Sequence, residues 1–189
     1  MGAALKRTGR FFRGCLDIIT FKPLAEKPMQ RTGKKEKFPF GIGVNARDEA
    51  GRTRLLYAIQ DRQPDQLLFL IEEGANVDLC DARGSSPLKH AISFGYVDSV
   101  ELLLKHGADP NIRDAENATP LMHASKKHVS NCPNDNSVRL EIVKLLIGSN
   151  ADVSLTDNHG KTALSYAIEY NNPGIARLLM EAQGPSDHF

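Results

Sequence analysis

Ser86-Pro87-Leu88-Lys89-His90-Ala91 is followed further along the chain by Thr119-Pro120-Leu121-Met122-His123-Ala124. The echo extends outward in both directions. Asp48, Asp81, Asp114 and Asp157 each begin a similar series. Three positions on stand Gly51, Gly84, Asn117 and Gly160. Five on stand Thr53, Ser86, Thr119 and Thr162, and ten on stand Ala58, Ala91, Ala124 and Ala167. The first two steps between aspartates are 33 residues (81−48 and 114−81), and the third is 43 (157−114). A period of this length marks a solenoid, in which one unit cannot bury its own apolar face and stacking does so instead.

The residues explain their own positions. Pro87 and Pro120 suit the first turn of a helix, where an amide N–H has no partner to lose. Ser86, Thr119 and Thr162 precede those turns and carry hydroxyls able to cap them. Ala91, Ala124 and Ala167 are small enough for two helices to approach closely. A second apolar run follows in each unit, from Leu67 to Ile71, Val100 to Leu104, Ile142 to Ile147 and Ile175 to Met180. Gly74, Gly107 and Asn150 stop the first three of these helices and tolerate positive φ; in the fourth, Gln183 holds that place and Gly184 follows.

The Ser/Thr-Pro-Leu stretches and the tripeptides Gly74-Ala75-Asn76, Gly107-Ala108-Asp109 and Asn150-Ala151-Asp152 resemble the ankyrin repeat family. The resemblance covers residues 45–184. It implies an all-α solenoid of four helix–turn–helix units joined by hairpin-like loops, over about 45–77, 78–110, 111–153 and 154–184. The usual histidine of the motif is replaced by Leu56, Lys89, Met122 and Ser165, and Arg54 and Ala163 replace proline in the end units. Residues 1–44 form a basic arm and linker in front, and 185–189 a short tail.

Charge divides the chain unevenly. Its 189 residues sum to +1. The first 44 hold ten Lys/Arg against three Asp/Glu, a balance of +7, and the remainder fourteen against twenty, a balance of −6. No global field argues for nucleic acid. Cys15, Cys80 and Cys132 are odd in number and widely spaced, which fits a reducing, intracellular setting better than a disulfide framework. No run is apolar enough to span a bilayer.

Three features stand outside the repeat. In residues 1–22, Leu5, Phe12, Leu16 and Ile19 oppose Lys6, Arg10, Arg13 and Asp17 on a helical projection, although Gly9 and Gly14 weaken it. Such an arm covers the first unit, docks on a membrane surface or partner, or serves as a disordered or targeting segment. The ten extra residues of the third unit fall near Val129–Val138, and Asn131 to Ser137 read as turn chemistry. Tyr57, His90, His123 and Tyr166 share one position and read as a packed row with a polar edge. A metal or enzymatic site built from His90, His123, His128 and Cys132 is the less favoured reading, because it lacks tight ligand spacing.

No catalytic motif or cofactor signature is present, and the expectation is a non-enzymatic adaptor or inhibitor with no cofactor. The resemblance implies a rigid concave face of hairpin tips and first helices that binds another protein. Carried over position by position, Arg83 and Lys161 fall on the tips, and Phe94, Lys126, Lys127 and Tyr170 near the ends of first helices. Aromatic rings among cations favour an acidic or amphipathic partner segment. The alternative is a peripheral membrane protein docked through its basic arm.

Overall fold

A computed structural model describes residues 43–126 and 135–184. All of them lie in one compact unit, Phe38–Phe189. The other unit, Met1–Lys37, lies outside the described residues, and with it the amphipathic arm. So do Lys127, His128 and Cys132.

Four helix pairs follow one another. They are α1 (Arg54–Gln60) with α2 (Pro64–Glu72), α3 (Pro87–Phe94) with α4 (Val97–Lys105), α5 (Pro120–Ser125) with α6 (Asp135–Gly148), and α7 (Ala163–Glu169) with α8 (Pro173–Ala182). First helices pack in one row, α1 to α3 to α5 to α7, and second helices in another, α2 to α4 to α6 to α8. Among the described residues the only extended pairing is a single bridge between Arg47 and Thr53. This is an all-α solenoid of stacked helix pairs, as the resemblance implies.

Side chains at repeated positions build the repeat. Ser86, Thr119 and Thr162 accept from the third amide of their helices, as the sequence suggests, and Thr53 does the same for α1. Pro87 and Pro120 occupy the first turn of α3 and α5. Ala91, Ala124 and Ala167 are fully buried, with Leu67, Leu88, Val100, Leu103, Leu121, Ile142, Leu146 and Leu179 around them. Gly74, Gly107 and Asn150 take positive φ after their helices, and Gly184 does so after α8.

Each aspartate organises a hairpin tip. Its Oδ1 accepts two amides, from Ala50 and Arg52 for Asp48, Arg83 and Ser85 for Asp81, Glu116 and Ala118 for Asp114, and His159 and Lys161 for Asp157. The tip turns through a residue of positive φ, which accounts for Gly51, Gly84, Asn117 and Gly160. At Gly51 a Cβ would also meet the backbone nitrogen of Ala82 at 2.7 Å. Successive tips are stitched where Ala82 N–H donates to Ala50 C=O and Asn158 N–H to Glu116 C=O.

The insertion departs from its reading as turn. Residues 127–134 lie outside the described residues, but Asp135 to Val138 form the first turn of α6, which is therefore 14 residues long. Asn and Ser suit that turn because the first amides of a helix lack intrahelical acceptors. Arg139 fastens the segment. Buried to 4% exposure, it donates to Lys126 C=O (2.8 Å), Asn136 Oδ1 (2.7 Å) and Asn172 Oδ1 (3.0 Å). Asn172 in turn donates to Ser125 C=O at 3.4 Å. The third first helix stops early at Ser125, and this buried polar cluster holds its end.

Candidate functional site

The row of Tyr57, His90, His123 and Tyr166 is more than packing. Each ring bonds to Oδ2 of the aspartate nine residues before it. Tyr57 donates to Asp48 at 2.8 Å, His90 meets Asp81 at 3.2 Å, His123 meets Asp114 at 2.7 Å, and Tyr166 donates to Asp157. One carboxylate thus ties the hairpin tip to the first helix in every repeat. Burial works against the charges of Asp48, Asp81 and Asp157, but the tip amides and the ring bonds together outweigh it and hold the carboxyls below their ordinary value. Burial and the neighbouring carboxylates push the Tyr57 and Tyr166 hydroxyls up.

Two aromatic clusters sit beside this row. In the second repeat Phe94 stacks on His90, with ring centroids 6.4 Å apart and 27° between planes. Phe94 also stacks on Tyr96 at 5.4 Å, and the Arg62 guanidinium lies 5.2 Å from the Tyr96 ring centroid. In the fourth repeat Tyr170 stacks on Tyr166 with the same 6.4 Å and 27°. Lys126 Nζ lies 4.3 Å from the Tyr166 centroid and Lys161 Nζ 5.4 Å. A ring face attracts a cation without neutralising it. Lys161 also donates to Glu169 at 2.6 Å, a hydrogen bond that raises its basicity.

The structure therefore gathers Lys126, Lys161 and Tyr170 around Tyr166 and places Phe94 in a separate cluster. Arg83 stands exposed on the second tip, where its backbone serves Asp81. Lys127 lies outside the described residues. Phe94 and Tyr170 remain 39% and 38% exposed. Sequence reasoning missed Arg62 and Tyr96 as members of these clusters, and read Tyr166 as part of a packed row with a polar edge. One signal was available for Arg62. It shares its position with Gly95 and Asn171, and all three take positive φ as first helices end.

His90 and His123 each face their own aspartate, and no group of three or more metal-ligating side chains gathers among the described residues. No helix among those residues is long and apolar enough to cross a membrane.

The architecture defines a class. Stacked helix pairs with aspartate-organised tips make an extended, rigid surface of the kind that recognises proteins. The sequence matches the family model described as ankyrin repeats (3 copies) over residues 32–114, 55–138 and 109–187. The chain belongs to the ankyrin repeat family, and its repeats are a protein–protein interaction module. No individual curated protein matches it.

Proposed function

We propose that the chain is a non-enzymatic adaptor or inhibitor that binds an acidic or amphipathic segment of another protein, in a reducing, intracellular setting. The contact surface is the face of first helices and tips, with Arg83, Phe94, Lys126, Lys127, Lys161 and Tyr170 as contact residues. The observation that carries this reading is the matched pair of half-exposed rings, Phe94 and Tyr170. Each is stacked in the same geometry on a ring that an aspartate already holds. A contact residue fixed before binding loses little entropy on binding, and exposed aromatics dominate interface energies. Lys126, set over Tyr166, adds a cation that favours a carboxylate-bearing partner.

Affinity capture followed by mass spectrometry supplies the partner. Titration of the variants beside thermal melts then tests the face. Phe94→Ala is expected to cost about 1–3 kcal/mol of binding and little stability. Lys126→Glu is expected mainly to slow association. Unchanged affinity in both variants would remove the first-helix face as the binding surface.

A further inference from the structure

The ends of the stack carry the two halves of a pair of positions that lines a groove inside it. Leu104 of α4 and Leu145 of α6 line one groove of about 300 Å³ between those helices. Moved by one repeat either way, the same pair of positions is Ile71 with Leu102 and Ile147 with Leu178. All six side chains are partly buried against the core. The next move finds only half a pair at each end. Met180 of α8 holds the place of Leu104, with no repeat beyond it among the described residues, and is 52% exposed. Phe69 of α2 holds the place of Leu145 and is 58% exposed. Ile168 adds to the trailing end. It is 61% exposed, whereas Ile59 and Ile92 at the same position are 0% and 4%.

Terminal repeats of a solenoid ordinarily present polar outer faces. Here the fourth repeat keeps apolar residues at stacking positions. We propose that a second copy of this chain fills the gap head to tail, with Met180 of one copy seated against Phe69 of the next. The contact continues the α2–α4–α6–α8 row, and a thioether against an aromatic ring is a favourable substitute for the inner aliphatic pairs. Arg54 is exposed where the inner repeats bury Pro87 and Pro120 and the fourth buries Ala163, so the first-helix side of the leading end stays polar. The contact is centred on the second helices and is smaller than a standard interface, which makes the association weak. A heterologous contact of this kind does not close by itself, so assembly grows with concentration.

Sedimentation equilibrium of the full chain, over a concentration series reaching about 1 mM, tests this. The expected result is a weight-average mass that rises through the series. Met180→Glu and Phe69→Glu each remain monomeric, with thermal melts unchanged because both residues are exposed. Mixed in equal amounts, the two variants form two-chain species and stop there. Met180→Glu keeps an intact leading end, Phe69→Glu keeps an intact trailing end, and the ends left over cannot pair. A wild-type chain that stays monomeric throughout overturns the proposal. So does wild-type association that survives both substitutions, or a mixture that stays monomeric when wild type associates.

Discussion

His90 with Asp81 and His123 with Asp114 are the same two residues in the same place, one repeat apart, and their surroundings make them different chemistry. The side chain of His90 is 29% exposed and that of His123 only 8%. Asp114 also accepts from Lys89, at 2.7 Å, out of the preceding repeat. The equivalents of Lys89 are Leu56, Met122 and Ser165, so Asp114 alone receives a lysine from this position. Burial raises the Asp114 carboxyl, but the bonds from Lys89 and His123 prevail and hold it well below the carboxylate range. Burial lowers His123 to about 4 against an ordinary 6.5, with Lys89 and Lys126 assisting and Asp114 opposing. The lysine supplies the counter-charge, and the imidazole stays neutral and donates from Nε2. Residue identity sets the geometry of the row, and burial with the next neighbour sets its protonation.

The sharpest way to break the likeness is to remove each aspartate. Asp114→Ala takes the acceptor from the amides of Glu116 and Ala118, from Lys89 and from His123, leaving a cation and a ring partly buried without it. Such losses cost about 3–5 kcal/mol. Asp81→Ala removes the same tip bonds, but its imidazole can turn to water, and a cost of about 1–2 kcal/mol is expected. Urea unfolding of the two variants checks the difference. Equal losses would mean that the Lys89 bond adds nothing.

Acid separates the pairs by a second route. His123 titrates lower in the folded chain than in the unfolded one, so its contribution is complete above pH 6.5 and disappears as the pH falls to about 4. The difference corresponds to about 3 kcal/mol. Unfolding free energy measured across this window is expected to fall by that order in the wild-type chain. In His123→Gln, which cannot charge, the fall is expected to be much smaller. A profile that is the same in both would assign the acid sensitivity elsewhere.

Much of this was legible in the sequence because repetition exposes what a single copy hides. Asp at the start, Gly or Asn three on, Ser or Thr five on and Ala ten on each answer one local demand: a tip acceptor, a positive φ, a helix cap and a close helix approach. The pairing of Asp with Tyr or His nine residues on was equally periodic. Its residues were read as a packed row because hydrogen bonding across a hairpin depends on where the chain returns. The aromatic clusters were only half legible. Lys126, Lys161 and Tyr170 do meet, but around Tyr166 and with Glu169 offsetting one charge, which is a property of neighbouring repeats in space. Arg139 was hidden because the insertion breaks the register. Its equivalents, Gln63, Tyr96 and Asn172, are all polar or amphipathic, a hint that this position faces backbone groups needing partners.

The smallest expected effect lies at the same junction, on its loop side. Asn45 accepts from Asn76 N–H at 2.7 Å and donates to Gly74 C=O at 3.4 Å. Asn111 likewise accepts from Asp152 N–H at 2.7 Å and donates to Asn150 C=O at 3.3 Å. Between them the equivalent residue is Asp78, which accepts from Asp109 N–H at 3.1 Å and has no N–H to return. Burial raises its carboxyl, the Asp109 amide lowers it, and the Asp109 charge raises it again, for a net upward shift. An acid whose folded pKa is raised favours folding while protonated and loses that advantage as the pH rises from 3.8 through the folded value. At neutral pH Asp78 is therefore the weak rung of the ladder. Asp78→Asn should restore the two-way bond, with Gly107 C=O as the new acceptor, and add about 1 kcal/mol at pH 7. The gain should shrink as the pH drops toward 3.8. Paired unfolding curves at the two pH values measure it. A neutral or destabilising result at pH 7 would show that the charge of Asp78 is already well accommodated, and that this junction differs from its neighbours on the first-helix side alone.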